Sequence, residues 1–237
     1  MTSLRDPQSF DHLPARYDRF STLVAAELRT WLLFHLPARG GSGSRALDLG
    51  CGTGVHTGLL AERFAEVLAV DLSAPMVRHA RRHRDHPAVH WEVRDLHEVT
   101  PGEDGLFDLV LCAYTLHHVP DFGVALRHLR SLLCPGGQLL LVDVVDERRT
   151  VPRAWFRGQA WRGFRDDLFR RRRPVGEAVE LLRLQLDPDW LDHQSTDQVW
   201  PPAEWDEQCR AVVPGALITP LHRAHALSWR RPTPARN

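Results

Sequence analysis

The chain contains no lysine; all 30 of its basic residues are arginine. Schiff-base chemistry and a lysine general base are therefore excluded. It also lacks an excess of charge: 30 acids balance the 30 bases, so no global field recruits nucleic acid or an anionic membrane surface. Cysteine is sparse and unpaired in spacing. Cys51, Cys112, Cys134 and Cys209 lie far apart, which gives neither a disulfide framework nor a zinc motif and makes a reducing cytoplasm the expected compartment. No apolar run approaches the roughly 18 residues that a membrane span needs, and no basic start with an apolar segment marks a leader. A soluble, unprocessed protein is expected. Internal repeats are absent, and 237 residues suffice for one substantial core with an elaboration.

What is present concentrates in Arg45 to Asp71, RALDLGCGTGVHTGLLAERFAEVLAVD. An apolar run closes on Asp48, a loop follows with Gly50, Cys51, Gly52 and Gly54, a helix opens near Val55, and a second apolar run ends in Asp71. Loop glycines let the backbone turn tightly and approach a ligand, and free N–H groups at a helix start face the same spot. An acid about 20 residues further on can accept hydrogen bonds from ribose hydroxyls. The glycine spacing departs from the dinucleotide fingerprint, because the residue three after Gly52 is Val55 and the third glycine comes one position early at Gly54. Asp48 also stands where it would repel a pyrophosphate and attract a cation. A positively charged nucleoside fits better than a diphosphate.

Four further segments follow in order: AVDLSAPMV (69–77), VRDLHE (93–98), FDLVLCAYTLHHVPD (107–121) and LLCPGGQLLLVDVV (132–145). With DLGCGTG (48–54), this front half resembles the class I methyltransferases that use S-adenosylmethionine, of the small-molecule type. The resemblance implies that Asp48 holds the cofactor's ammonium and Asp71, with Leu72, the ribose. Met76 would pack on the adenine, while Asp95 and the Leu96 backbone would meet its amino edge. Cys112 and Ala113 would lie beside the methionine portion through their backbone. Tyr17 would belong to an N-terminal lid. His117 and His118, leaving the fourth strand, and His193 in WLDHQSTDQ are the general-base candidates, although fold-supporting hydrogen bonds are the simpler role for the first two. No metal ligands are expected; His79, Arg81, Arg82, His83, Arg84 and His86 read as a solvated helix face.

The expected fold is α/β, a Rossmann-like doubly wound seven-stranded sheet, mostly parallel with an antiparallel last strand, and a helical insertion capping the active site. Strands are read at 46–49, 67–70, 89–93, 106–112 and 139–144, with helices between them, and a terminal helix and hairpin over 203–229. Residues 1–44 are read as N-terminal lid helices, with one helix from Phe10 to Leu36. Residues 45–145 and 203–231 form the core, 146–202 a helical substrate-binding insertion, and 232–237 a tail. Within the insertion a stripe of Trp155 or Phe156, Ala160, Phe164 and Leu168 marks one helix and 175–186 a second. Trp155, Trp161 and Trp190 could build an apolar pocket for an aromatic or lipid-like acceptor. Arg170 to Arg173 read as a solvated helix end or a grip for an acidic group. Methyl transfer to an oxygen, nitrogen, sulfur or carbon nucleophile of a small molecule is the expected activity. A nicotinamide oxidoreductase, which Val55 and Asp48 disfavour, and a non-catalytic binding protein are the alternatives. Nucleic-acid and membrane partners are disfavoured, and the oligomeric state is not legible.

Overall fold

The computed structural model describes residues 13–38, 40–148, 151–194 and 199–234, the side chain of His193 excepted. The chain alternates strand and helix through its middle. β1 (Arg45–Leu49), α3 (Thr57–Ala61), β2 (Glu66–Asp71), α4 (Ala74–Arg84) and β3 (Val89–Val93) follow two N-terminal helices, α1 (Pro14–Val24) and α2 (Ala26–His35). Then come β4 (Phe107–Ala113), α5 (Phe122–Ser131) and β5 (Leu133–Val144). The insertion supplies α6 (Arg153–Phe169), α7 (Val175–Gln185) and α8 (Pro188–Gln194), and the chain closes with α9 (Pro202–Val212), β6 (Leu217–Leu221) and β7 (Ala224–Arg230). One seven-stranded sheet results, ordered β3-β2-β1-β4-β5-β7-β6. β7 pairs antiparallel with both β5 and β6, and every other pairing is parallel.

The sheet is covered on both faces, as continuous apolar strands require. Side chains alternate across it: Leu47 and Leu49 of β1, Leu68 and Val70 of β2 and Val110 and Cys112 of β4 pack with α5 and α9 around fully buried Trp205. Ala46, Val67, Ala69, Leu109 and Leu111 face the other way, onto Trp31 and Leu32 of α2, Leu59 and Leu60 of α3, and Ala80 of α4. Caps set where helices begin. Ser73 Oγ accepts from the Met76 N–H at 3.2 Å, and Asp121 Oδ1 accepts from the Val124 N–H at 2.8 Å.

Three expectations need correction. The N-terminal helical stretch is two helices meeting at Ala25, and Phe10 lies outside the described residues. β5 starts at Leu133, well before Leu139, because the Pro135-Gly136-Gly137 turn is absorbed as an irregularity in its pairing with β4. The basic face of α4 is only partly solvated. Arg84 reaches Asp18 at 2.6 Å and the Thr53 carbonyl at 3.0 Å, while His79 lies 3.6 Å from Asp18, so these side chains dock α1 onto α4.

The insertion keeps the anticipated stripe: Phe156 and Ala160 are buried, and Phe164 and Leu168 are half-buried. Its helix α8 was not foreseen. Among the described residues no helix is long and apolar enough to cross a membrane, and no group of His, Cys, Asp or Glu could hold a metal ion.

Candidate active site

The carboxyl ends of β1, β2, β4 and β5 open into a cavity of about 1280 Å³, roofed by α1, α6, α7 and α8. That is where open parallel sheets bind ligands. Its volume exceeds the roughly 300–1,000 Å³ of an ordinary small-molecule pocket, leaving room for two ligands side by side.

The glycine loop leaves β1 with Gly50 at φ 76°. The N–H groups of Gly50 and Cys51 both donate to the Val70 carbonyl, at 2.8 and 3.0 Å, which folds the loop back over the end of β2. A Cβ on Gly50 would stand 2.1 Å from Thr115 Oγ1, so no side chain fits there. Gly52 lies under the Tyr17 ring, whose Cε1 would be 3.5 Å from an added Cβ. The opening helix therefore covers the loop. Gly54, with Cys112, is not among the residues lining the cavity. A Cβ at Gly54 would strike Trp91 at 2.5 Å, so this glycine serves close helix-to-sheet packing. Cys112 projects into the opposite face of the sheet with α5, and Ala113, one residue on, takes the lining position by the period-two alternation of a strand.

Asp48 is 3% exposed and accepts a 2.5 Å hydrogen bond from Thr57 Oγ1. Burial pushes its carboxyl up to about 7, and the neighbouring Asp71 adds to this, against the lowering effect of Thr57. A buried carboxylate with no cation beside it is costly to ionise. Asp71 takes the Gly52 N–H on one oxygen at 2.7 Å and the Ser73 N–H on the other at 2.8 Å, tying the glycine loop to the start of α4. The Cys51 thiol is held protonated by burial and by the carboxylates of Asp71 and Asp48.

Leu72 and Met76 line the wall beside Asp71. Met76 is buried against Trp190 of α8, with Tyr17 and Phe20 completing the cluster; the Phe20 and Trp190 rings are 4.0 Å apart. Asp95 and Leu96 also line the cavity. Asp95 caps its own turn, with Oδ1 on the His97 N–H at 2.8 Å and its own N–H on Glu98 Oε2 at 3.1 Å.

His117 and His118 both reach the cavity, their rings 3.9 Å apart. His117 Nδ1 sits 2.6 Å from Asp143 Oδ1, and both side chains are buried. This buried pairing rests on Asp143, which sequence reasoning passed over. A lone acid inside the apolar run LLLVDVV could have disclosed it, since a buried charge demands a partner. The side chain of His193 lies outside the described residues.

Of the tryptophans expected to form an apolar pocket, Trp190 lines the cavity. Trp155 belongs to the insertion's own cluster with Val151, Phe156 and Leu191, and Trp161 is 54% exposed on the surface of α6. Arg171, Arg172 and Arg173 do not end α6 in solvent alone; all three line the cavity. Tyr114, at the exit of β4, lines it too, with φ 55°. Nothing in the sequence marks that strained conformation.

Residues 47–141 match the sequence model of the Methyltransferase domain family. A ubiquinone biosynthesis O-methyltransferase of Xanthomonas euvesicatoria pv. vesicatoria is 38% identical over 102 residues, which are 42% of this chain and 43% of that protein. The chain thus spans less than half the length of the curated relatives it matches there. Among solved structures, DhpI in complex with SAH shares the fold with a TM-score of 0.60 and 24% identity over 96% of this chain and 97% of that one. DhpI with SAM and HEP has a TM-score of 0.58 and 25% identity, covering 95% and 96%.

Proposed function

We propose that this chain, whose residues 47–141 match the Methyltransferase domain family, is a class I S-adenosylmethionine-dependent methyltransferase and that it transfers a methyl group to a nucleophile on a small molecule, with His117 as the base for a hydroxyl acceptor. The observation that carries the reading is the pair of carboxylates, Asp48 and Asp71, on either side of a glycine loop whose Gly50 cannot hold a side chain. The donor set fits the cofactor. Asp48, buried without a cationic partner, suits its ammonium; Asp71 suits the ribose hydroxyls; Met76 and Leu72 suit the flat face of the base. When bound, S-adenosylmethionine supplies a methyl group on a sulfonium whose charge makes the thioether a good leaving group.

The protein's own work is alignment, exclusion of water and handling of one proton. Tyr17 and Phe20 of α1 and Trp190 of α8 close the cavity over the glycine loop. Asp143 holds the Nδ1 side of His117, so that Nε2 is the nitrogen able to take the acceptor's proton as the new oxygen–carbon bond forms. We read residues 1–44 as a lid and 146–202 as the substrate-binding insertion on the same grounds. The acceptor is a small molecule that enters between them.

The test has two parts. S-adenosylhomocysteine should bind saturably at micromolar levels by calorimetry, with Asp71→Asn weakening it about tenfold, roughly one lost hydrogen-bonded charge. Over a panel of small hydroxyl compounds, His117→Gln should lower turnover 10²- to 10⁴-fold, the usual range for general-base catalysis, with nucleoside affinity unchanged. Failure of the nucleoside to bind would overturn the assignment, and unchanged turnover in the glutamine variant would remove the base.

A further inference from the structure

Among the described residues, the non-glycine positions with positive φ are Tyr114 at 55°, Arg172 at 52° and Arg223 at 58°. All three line the same cavity. Glycine is the default in that region of backbone space, so each of these side chains is held there at a cost in backbone strain. Arg172 stands in the turn between α6 and α7, and Arg223 in the turn between β6 and β7. Arg162, further back along α6, lines the same wall.

The local charges are unevenly met. Asp167, 3% exposed, faces Arg171 at 3.6 Å and Arg173 at 3.4 Å; Asp166 faces Arg170 at 3.5 Å, and Arg173 also has Glu177 at 3.7 Å. Arg162 has only the neutral Gln159 oxygen, at 3.2 Å, and among the described residues neither Arg162 nor Arg172 has a carboxylate within ion-pairing distance. The Arg223 guanidinium rests over the rings of Trp155 and Phe156, 4.7 and 5.4 Å from their centres. The cavity is thus polarised. Its sheet end carries Asp48, Asp71 and Asp95, with Arg94 there already paired to Glu92 and Asp104, and its insertion end carries arginines in excess of their acids, in a chain whose total charge is zero.

We propose that the methyl acceptor carries an oxyanion, a carboxylate or a phosphate-like group, bound at the insertion end by Arg162 and Arg172. This rests on the methyl-transfer reading and names its substrate class. A guanidinium offers a planar fork of donors that matches such an oxyanion two bonds at a time. The same field would disfavour a cationic acceptor at that end, and the acids at the sheet end would keep the anion away from the cofactor's side of the cavity.

The test uses the full chain saturated with S-adenosylhomocysteine, whose own affinity is measured first. Benzoate and phenylphosphonate, titrated calorimetrically, should bind saturably and at least tenfold more tightly than neutral benzamide and benzyl alcohol; the tighter of the two anions identifies the oxyanion class. Arg172→Gly should weaken that binding about tenfold while leaving nucleoside affinity unchanged and Tm at or above that of the parent, because glycine adopts the turn without strain. Arg162→Gln should weaken it similarly. Equal binding of charged and neutral probes, or anion binding that both variants retain in full, overturns the proposal. Nucleoside that fails to bind while the anions still do overturns the methyl-transfer reading instead.

Discussion

At the scale of single residues, the informative groups are those whose environment conflicts with their ordinary charge. Asp48 is the clearest, since burial lifts its carboxyl to about 7. Its folded-state value lies above the roughly 3.9 of an unfolded chain, so the stability linked to its proton is fully present below about pH 4 and lost as pH rises through 7. Asp48→Asn keeps an oxygen for the Thr57 hydroxyl and removes that titration. Urea unfolding should therefore show the asparagine variant gaining on the parent between pH 5 and pH 8, by on the order of 2 kcal/mol. A difference that does not change with pH would show the carboxyl to be ionised throughout. Ligand binding carries the same sign: a cation beside Asp48 releases its proton, so affinity for S-adenosylmethionine should fall as pH drops below 7. Asp48 and Asp71 were legible because each ends a continuous apolar run. Asp143 was legible in principle, by the same rule applied to β5. Tyr114 and Arg172 were not, because a positive φ at a non-glycine residue is imposed by packing and leaves no mark in the letters.

Among elements, the joint between α1 and the insertion governs access to the cavity. Surface ion pairs hold it in part: Arg19 donates to both carboxylate oxygens of Glu180, at 2.8 and 2.6 Å, and Arg16 meets Asp187 at 2.6 Å. Exposed pairs of this kind are screened by solvent and contribute little. Burial contributes more. Trp190 is 9% exposed, and it touches both Phe20 of α1 and Met76 of α4, joining three elements. Trp190→Ala should cost about 3–5 kcal/mol in chemical denaturation and weaken nucleoside binding, whereas Arg19→Ala should cost less than about 1 kcal/mol. Equal effects of the two would place the joint in the ion pairs. The helices α1 and α6 could be read from their apolar periodicity, but α8 could not. It is a single short helix whose Trp190 finds partners in α1 and α4, far away in sequence.

For the molecule as a whole, the cavity between sheet and insertion is already formed, so a ligand that fills it should stabilise the fold by mass action. At 100 times its dissociation constant, S-adenosylhomocysteine should add about 2.7 kcal/mol and raise Tm by roughly 5–10 °C, while NAD should leave it unchanged. A rise with NAD alone would return the site to dinucleotide chemistry. By itself the sequence determined the alternation of strand and helix, the doubly wound sheet with its terminal hairpin, and the glycine loop between two strand-end acids, because apolar runs, glycines at tight turns and strand-end acids act over a few neighbouring residues. The tertiary structure alone decided which face Cys112 takes, that Asp143 meets His117, that Trp155 and Trp161 stay out of the cavity, and that six arginines line it. Those outcomes depend on contacts between residues tens of positions apart, whose partners are selected by packing.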